Sequence, residues 1–261
     1  MPKVAILLRG GVGRAYGKLG QSPTDLYRDS EYINFYSVEK SLKKHILETN
    51  PEYECDFFIH CWNVDLEDKL VDLYKPKKYL FEDNSLYTED IQNKLDNSGC
   101  TQASGFGEIS VSLSIKKGCE LIESYVEETG TKYDRVMIGR PDYLYWKDMN
   151  FESYIFDTIY GSQYGQLDGE SHYIMNYDNM TKFKNLYDTI STSLQPNVHV
   201  FMRSYVMNIL NLRFSQDDFT TGVDHESVRK LRYNIENGTL EENLLSQYGL
   251  SKDEIYTYNA D

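Results

Sequence analysis

The sequence is short of positive charge, of cysteine and of long apolar runs, and each shortage excludes a class of protein. Lys and Arg number 27 against 41 Asp and Glu, for a formal charge of −14. That balance argues against a sequence-independent nucleic-acid binder, whose affinity comes from cations neutralising phosphates. It argues equally against a basic patch for anionic membranes. It leaves room for a small anionic ligand, because one pocket can be positive on an acidic protein. The four cysteines, Cys55, Cys61, Cys100 and Cys119, show no Cys-x-x-Cys spacing, so buried free thiols are expected rather than a zinc site. The opening apolar stretch, Val4-Ala5-Ile6-Leu7-Leu8, is too short for a leader or a spanning helix. No later run approaches the ~18 apolar residues that a membrane helix needs. We therefore expect no integral membrane segment and a cytoplasmic protein.

What remains is a globular composition, 40% hydrophobic and 26% charged over 261 residues, enough for one full core. Val4–Leu8 reads as a buried strand emptying into Gly10-Gly11-Val12-Gly13-Arg14. Ser22-Pro23-Thr24-Asp25 marks a turn or helix start. Val38, Leu42, Ile46 and Leu47 recur at helical spacing and predict a helix over 36–49, ended by Asn50-Pro51. A second core strand follows over Cys55–Trp62, and strand, helix, strand is the rhythm of a parallel sheet. Lys78–Glu82 is a short third strand. Residues 83–110 are polar and predict a loop over a site, with a short helix near Glu89–Leu95. Ile115, Cys119, Ile122 and Val126 fall on one helical stripe ending at Gly130, followed by a strand through Val136-Met137-Ile138. Weaker strands are expected at Thr158–Gln163 and His172–Asn176, with helices over Asp178–Ser193, Val200–Phe214 and residues 226–248. One α/β domain with a mostly parallel central sheet flanked by helices accounts for the whole pattern.

Five segments can carry chemistry. The Gly10-Gly11-Val12-Gly13 turn leaves the first strand where α/β ligands bind, and backbone N–H groups there can approach a phosphate. It fits neither nucleotide fingerprint: Gly17-Lys18 is followed by Leu19, and Tyr16 replaces the third glycine of the dinucleotide pattern. It is either a nucleotide contact or a tight strand exit. His60-Cys61-Trp62-Asn63 ends the second strand. His60 is a buried histidine or a catalytic one, Trp62 stacks on a base or caps the core, and Asn63 and Asp65 are better placed for a ligand.

Gly139-Arg140-Pro141-Asp142 is the strongest motif, because an apolar strand delivers an arginine and an aspartate to its polar tip. Arginine forks onto phosphate oxygens, and a carboxylate beside it can hold Mg²⁺ or Mn²⁺ on a diphosphate. The bland alternative is a surface ion pair. Asp168-Gly169-Glu170 offers carboxylates for a general base, or a solvated turn. Asp224-His225-Glu226 is a further acidic and histidine pair, in which Asp224 can simply cap a helix, and Asp217-Asp218 is a weaker one. Lys116 and Lys117 lie off the apolar face of their helix, solvated or facing a phosphate. Tyr143, Tyr145, Tyr160, Tyr164 and Tyr173 are candidates for an aromatic wall around a sugar.

Taken in order, these segments resemble a family of GT-A-like glycosyltransferases of bacterial surface-polysaccharide loci and large DNA viruses. The landmarks are Val4-Ala5-Ile6-Leu7-Leu8-Arg9-Gly10, His60-Cys61-Trp62-Asn63, Ser114-Ile115-Lys116-Lys117, Tyr133-Asp134-Arg135-Val136 running to Arg140-Pro141-Asp142, Asp168 with His172-Tyr173-Ile174-Met175 and Met180, and His225-Glu226. The resemblance covers roughly residues 3–230. It implies a GT-A-like single domain over 1–261, with 1–150 mainly on the nucleotide-sugar donor side and 151–261 mainly on the acceptor side.

It also implies a hexosyl- or pentosyltransferase of surface or capsid glycan synthesis, in a bacterial cytoplasm or, if viral, a host cytoplasm. The donor would be a nucleotide-diphosphate sugar, with a UDP-sugar favoured over a GDP-sugar, and the acceptor a carbohydrate hydroxyl. Carried over, Arg9, Gly10 and Gly11 line the nucleotide pocket, Asn63 lies near the nucleoside, and Lys116 and Arg140 complete the donor side. Asp142 would hold Mn²⁺ or Mg²⁺, Asp168 is the first choice of base and Glu226 the second. Arg140 stands where the family keeps the first acid of Asp-x-Asp, which puts metal dependence in doubt.

Two rivals stay open. Leu8-Arg9-Gly10-Gly11-Val12-Gly13-Arg14 looks like the glycine-rich loop of sugar-1-phosphate nucleotidyltransferases, although Lys18-Leu19-Gly20-Gln21 lacks that family's usual lysine context. A non-catalytic glycan-binding protein is the third reading. Pyrophosphate release, nucleoside-diphosphate release, or neither separates the three.

Overall fold

Strand β1 (Lys3–Gly10) is apolar and buried from Val4 onward on both faces, the signature of an interior strand in a parallel sheet. The computed structural model describes residues 1–12, 32–102, 104–196, 200–228 and 231. Within them β1 is flanked by β2 (Glu54–Cys61) and β4 (Arg135–Gly139), both parallel to it. The seven-stranded sheet runs β3-β2-β1-β4-β7-β6-β8, where β3 is Lys78–Phe81, β6 is Thr158–Tyr164, β7 is Leu167–Met175 and β8 is Arg213–Thr220. Of these only β7 runs against its neighbours, pairing antiparallel with both β4 and β6. A separate two-stranded ribbon joins β5 (Tyr143–Tyr145) to β9 (His225–Ser227).

Alternation along β1 divides the core into two layers. Val4, Ile6 and Leu8 enter one layer with Phe35, Val38 and Leu42 of α1 (Phe35–Leu42), Leu70 and Tyr74 of α2 (Glu67–Tyr74), and Tyr145 of the ribbon. Ala5 and Leu7 enter the other, beneath Ile115, Cys119 and Ile122 of a central helix. In chain order the remaining helices are α3 (Thr88–Ser98), α4 (Gly105–Thr129), which is that central helix, α5 (Tyr177–Phe183), α6 (Leu186–Thr189) and α7 (Phe201–Ser204). The second layer is completed by Met180 and Phe183 of α5 and Phe201 and Met202 of α7. Each such side chain stabilises the fold by roughly 1.5–3 kcal/mol when fully buried. The chain is thus a single α/β domain with a mostly parallel central sheet flanked by helices, as expected from its sequence.

Local signals set several boundaries. Asn34 caps α1 by accepting the N–H groups of Tyr36 and Ser37 at 3.2 and 3.3 Å. Gly130 ends α4 in the left-handed conformation, φ 69°. The helix over 36–49 is present as α1 plus a π-helical turn, Lys43–Leu47.

Three expectations need correction. Residues 83–110 are mostly helical: α3 occupies 88–98 and α4 starts ten residues before Ile115, because Ile109, Leu113 and Ile91 bury a satellite core with Tyr187. The helix expected over Val200–Phe214 ends by Ile209, and β8 takes up the chain at Arg213 and pairs with β6. His225–Ser227 is strand rather than helix. The rest of the helix expected over 226–248 lies outside the described residues apart from Val228 and Leu231, and so do Gly13, Arg14, Gly17-Lys18 and Ser22–Asp25.

All four cysteines are free, with Cys61 and Cys119 buried. Among the described residues no helix is long and apolar enough to cross a membrane.

Gly118 lets α4 lie directly on β1, since a Cβ there would come within 2.5 Å of Leu7 Cδ1. Gly118→Ala should therefore cost about 1–3 kcal/mol through overpacking. Gly107, in the same helix with no atom within 4 Å of its would-be Cβ, should gain up to about 1 kcal/mol as Gly107→Ala. Urea melts of the two variants test the pair; equal effects would contradict the close α4–β1 contact.

Candidate active site at the carboxyl edge of the sheet

The register brings two guanidiniums together. Leu8 of β1 is level with Gly139 of β4, so the next residues, Arg9 and Arg140, stand side by side at the carboxyl edge of the sheet. Arg9 is only 2% exposed. Its Nη2 donates to the Glu170 carbonyl at 2.9 Å, while its Nε finds no acceptor among the described residues. Burial, reinforced by the like charge of Arg140, lowers its pKa, yet an arginine remains charged at any physiological pH. Arg140 forks onto Asp142, Nε to Oδ1 and Nη2 to Oδ2, both at 2.8 Å. It also stands over the Tyr143 ring, 4.8 Å from the centroid. Burial alone would lower its pKa, but the Asp142 carboxylate outweighs that and raises it.

Two glutamates close the cluster. Glu170 lies on β7, which passes antiparallel beside β4 with Tyr173 level with Ile138, so Glu170 sits just past the end of β4. Glu108 comes from the first turn of α4 and is buried. Burial and then the neighbouring Glu170 charge push its carboxyl up to about 9, which favours the neutral acid. Glu108 Oε2 and the Tyr173 hydroxyl are, like Arg9 Nε, buried without a partner among the described residues. All three belong to one electrostatic neighbourhood. Buried polar atoms are nearly always paired, which makes three orphans gathered at one strand edge a candidate site.

The glycine turn is held against this edge. Gly10 has φ 94°, a backbone that favours glycine. Asn63 Oδ1 accepts the Val12 N–H at 2.7 Å, and a Cβ on Gly11 would crowd that oxygen at 3.3 Å. Asn63 thus fixes the shape of the turn that carries Gly10 and Gly11.

The other expected site residues disperse. Lys116 pairs with Asp188 of α6 at 2.7 Å. Asp168 accepts from Arg203 and from Gln216, the latter at 2.8 Å. Glu226 is buried in the ribbon, where its Oε1 accepts the Ser227 N–H at 2.8 Å. Asp224 accepts the Thr220 N–H in a turn rather than capping a helix. His60 is buried, bonded to Ser114 Oγ at 2.7 Å and Glu82 Oε1 at 3.1 Å, and burial pushes its pKa down to about 4. Trp62 packs edge-on against His60 and beside Tyr87. Tyr145 and Tyr173 are buried core residues, so the five tyrosines do not form one wall; Tyr164 alone of them is well exposed.

Glu108 escaped sequence reasoning because its segment reads as loop. The available signal is its position seven residues before Ile115, which puts a carboxylate on the buried stripe of α4.

The residues present do not fit the expected metal. Both oxygens of Asp142 are engaged by Arg140, whose positive charge lies where a cation would. Among the described residues no group of three or more His, Cys, Asp or Glu could hold a cation by itself, so any metal here would share its ligands with the diphosphate.

Fold and side chains together define an α/β domain with two neighbouring guanidiniums, Arg9 and Arg140, at the carboxyl ends of parallel strands, the usual place for ligands in such sheets. No family model matches the sequence, and no curated protein matches it. Among solved structures the chain is similar to CTP:phosphocholine cytidylyltransferase from Streptococcus pneumoniae, at 12% identity and a TM-score of 0.45, over 92% of this chain and 100% of that one. At that distance substrate and reaction are argued from the site alone.

Glu108 gives the site a pH signature. Its carboxyl titrates higher in the folded chain than the ordinary value of 4.5, so the folded state keeps a proton that the unfolded state sheds. Stability from this group is present below about pH 4.5 and is lost as pH rises toward about 9. Relative to Glu108→Gln, the wild type should therefore lose stability between pH 5 and 9, by up to ~1.4 kcal/mol per pH unit. Parallel stability profiles from urea melts would contradict a neutral Glu108.

Proposed function

We propose that the chain is a nucleotide-dependent transferase that binds a diphosphate group between Arg9 and Arg140. The observation that carries the proposal is the buried Arg9 guanidinium with an unsatisfied Nε, beside a second guanidinium and next to the glycine turn. Forked N–H donors match phosphate oxygens, and backbone N–H groups of a glycine turn add to them. Residues 1–150 supply this donor side, and β6, β7 and β8 supply the acceptor side.

The reaction proposed is glycosyl transfer. The anomeric C–O bond to the diphosphate breaks, a bond forms to an acceptor hydroxyl of a carbohydrate, and the nucleoside diphosphate leaves with the electron pair. The hydroxyl proton goes to a carboxylate at the edge. Glu170 is better placed for this than Asp168, because it borders the two arginines, whereas Asp168 is held by Arg203 and Gln216. UDP- and GDP-sugars are the donor classes to test first.

Nucleotidyl transfer to a sugar phosphate is the second reading. It is favoured by the positive-φ glycine directly after Arg9 and by the Asn63 clamp on the turn, a cradle that also suits a nucleoside triphosphate. Both readings need the same arginines, and the product separates them: a nucleoside diphosphate in one, pyrophosphate in the other.

Arg9→Lys keeps the charge and loses the fork, so calorimetry should show nucleoside-diphosphate affinity falling about 10–100-fold, the worth of one charged hydrogen bond. Glu170→Gln should retain binding and lose most turnover. A wild-type affinity in Arg9→Lys would remove Arg9 from the phosphate site.

A further inference from the structure

The Arg140–Asp142 fork has a consequence for the cofactor of this site. Two carboxylates holding a divalent cation sum to zero charge, and Arg140 with Asp142 sums to zero with no cation at all. The fork uses Arg140 Nε and Nη2, leaving the Nη1 N–H groups free to reach a ligand. Arg9 adds a buried positive charge that makes no ion pair among the described residues and has an N–H to spare. Glu108, which would otherwise add negative charge here, is held neutral by its surroundings.

We propose that Arg9 and Arg140 take the place of a divalent cation, so that this chain binds a nucleoside diphosphate without metal. The inference rests on the donor-site reading above. In it Asp142 is a positioning residue: it aims the Arg140 guanidinium and does not touch a cation. Losing Asp142 then frees Arg140 instead of emptying a metal site.

Titrations of the whole protein with UDP and with GDP, in excess EDTA and in Mn²⁺, test this directly. The expected result is binding of at least one of them with affinities that agree within about threefold between the two conditions. Asp142→Asn should bind in EDTA within tenfold of wild type. Arg140→Asp, which installs a second carboxylate, should lose EDTA binding and recover it on adding Mn²⁺. Wild-type binding that needs Mn²⁺ by tenfold or more overturns the metal-free site while leaving the donor reading intact. No binding of either nucleotide in either condition overturns the donor reading and this inference with it.

Discussion

A guanidinium buried at the end of the central strand is the constraint around which this protein is arranged. An arginine cannot shed its proton to escape an apolar surround, so its charge must be met by nearby dipoles and carboxylates. Arg9 meets it partly through the Glu170 carbonyl and partly through the charges of Glu170 and Asp142, with one N–H left over. β7 has to run antiparallel beside β4 for that carbonyl to arrive, and α4 has to begin early enough for Glu108 to reach the same edge. The topology of the sheet and the chemistry of the edge are therefore one problem. Under the proposed function, the unsatisfied atoms that remain are met by the diphosphate.

The same edge shows how charge is distributed when no single ion dominates. Arg140 is neutralised by Asp142, and burial beside the Glu170 charge pushes the Glu108 carboxyl up to about 9. Away from the edge the histidines serve packing. His60 ties β2 to α4 and to Glu82, which also binds Lys117. His172 is buried against Asp217 at 2.6 Å, with Tyr145 and His225 around it. All four histidines among the described residues, His45, His60, His172 and His225, are buried.

Much of the sheet was legible because burial on both faces leaves unbroken apolar runs. Val4–Leu8, Phe57–Ile59 and Val136–Ile138 all became central parallel strands. The strands past β4 were harder. β7 begins at Leu167 with the polar run Asp168–Ser171, largely buried although it reads as a turn, and β8 carries an Asp217-Asp218 pair. The start of α4 is masked in the sequence because Gly105 and Gly107 weaken it, although Ile109 and Leu113 are buried there. For the site, the Arg9, Gly10, Arg140 and Asp142 group was visible as polar tips on apolar strands. The fork between Arg140 and Asp142, the partners of Asp168 and the role of Glu108 were not, because each depends on which tertiary neighbour arrives at that edge.

The central claim is a single anion position between Arg9 and Arg140. A crystal structure of the protein soaked with a nucleoside diphosphate tests it most directly. The account predicts diphosphate density within hydrogen-bonding distance of Arg9 Nε and the Arg140 guanidinium, against the Gly10–Gly11 turn. Density for the nucleotide elsewhere, with Arg9 Nε still unpaired, would contradict it.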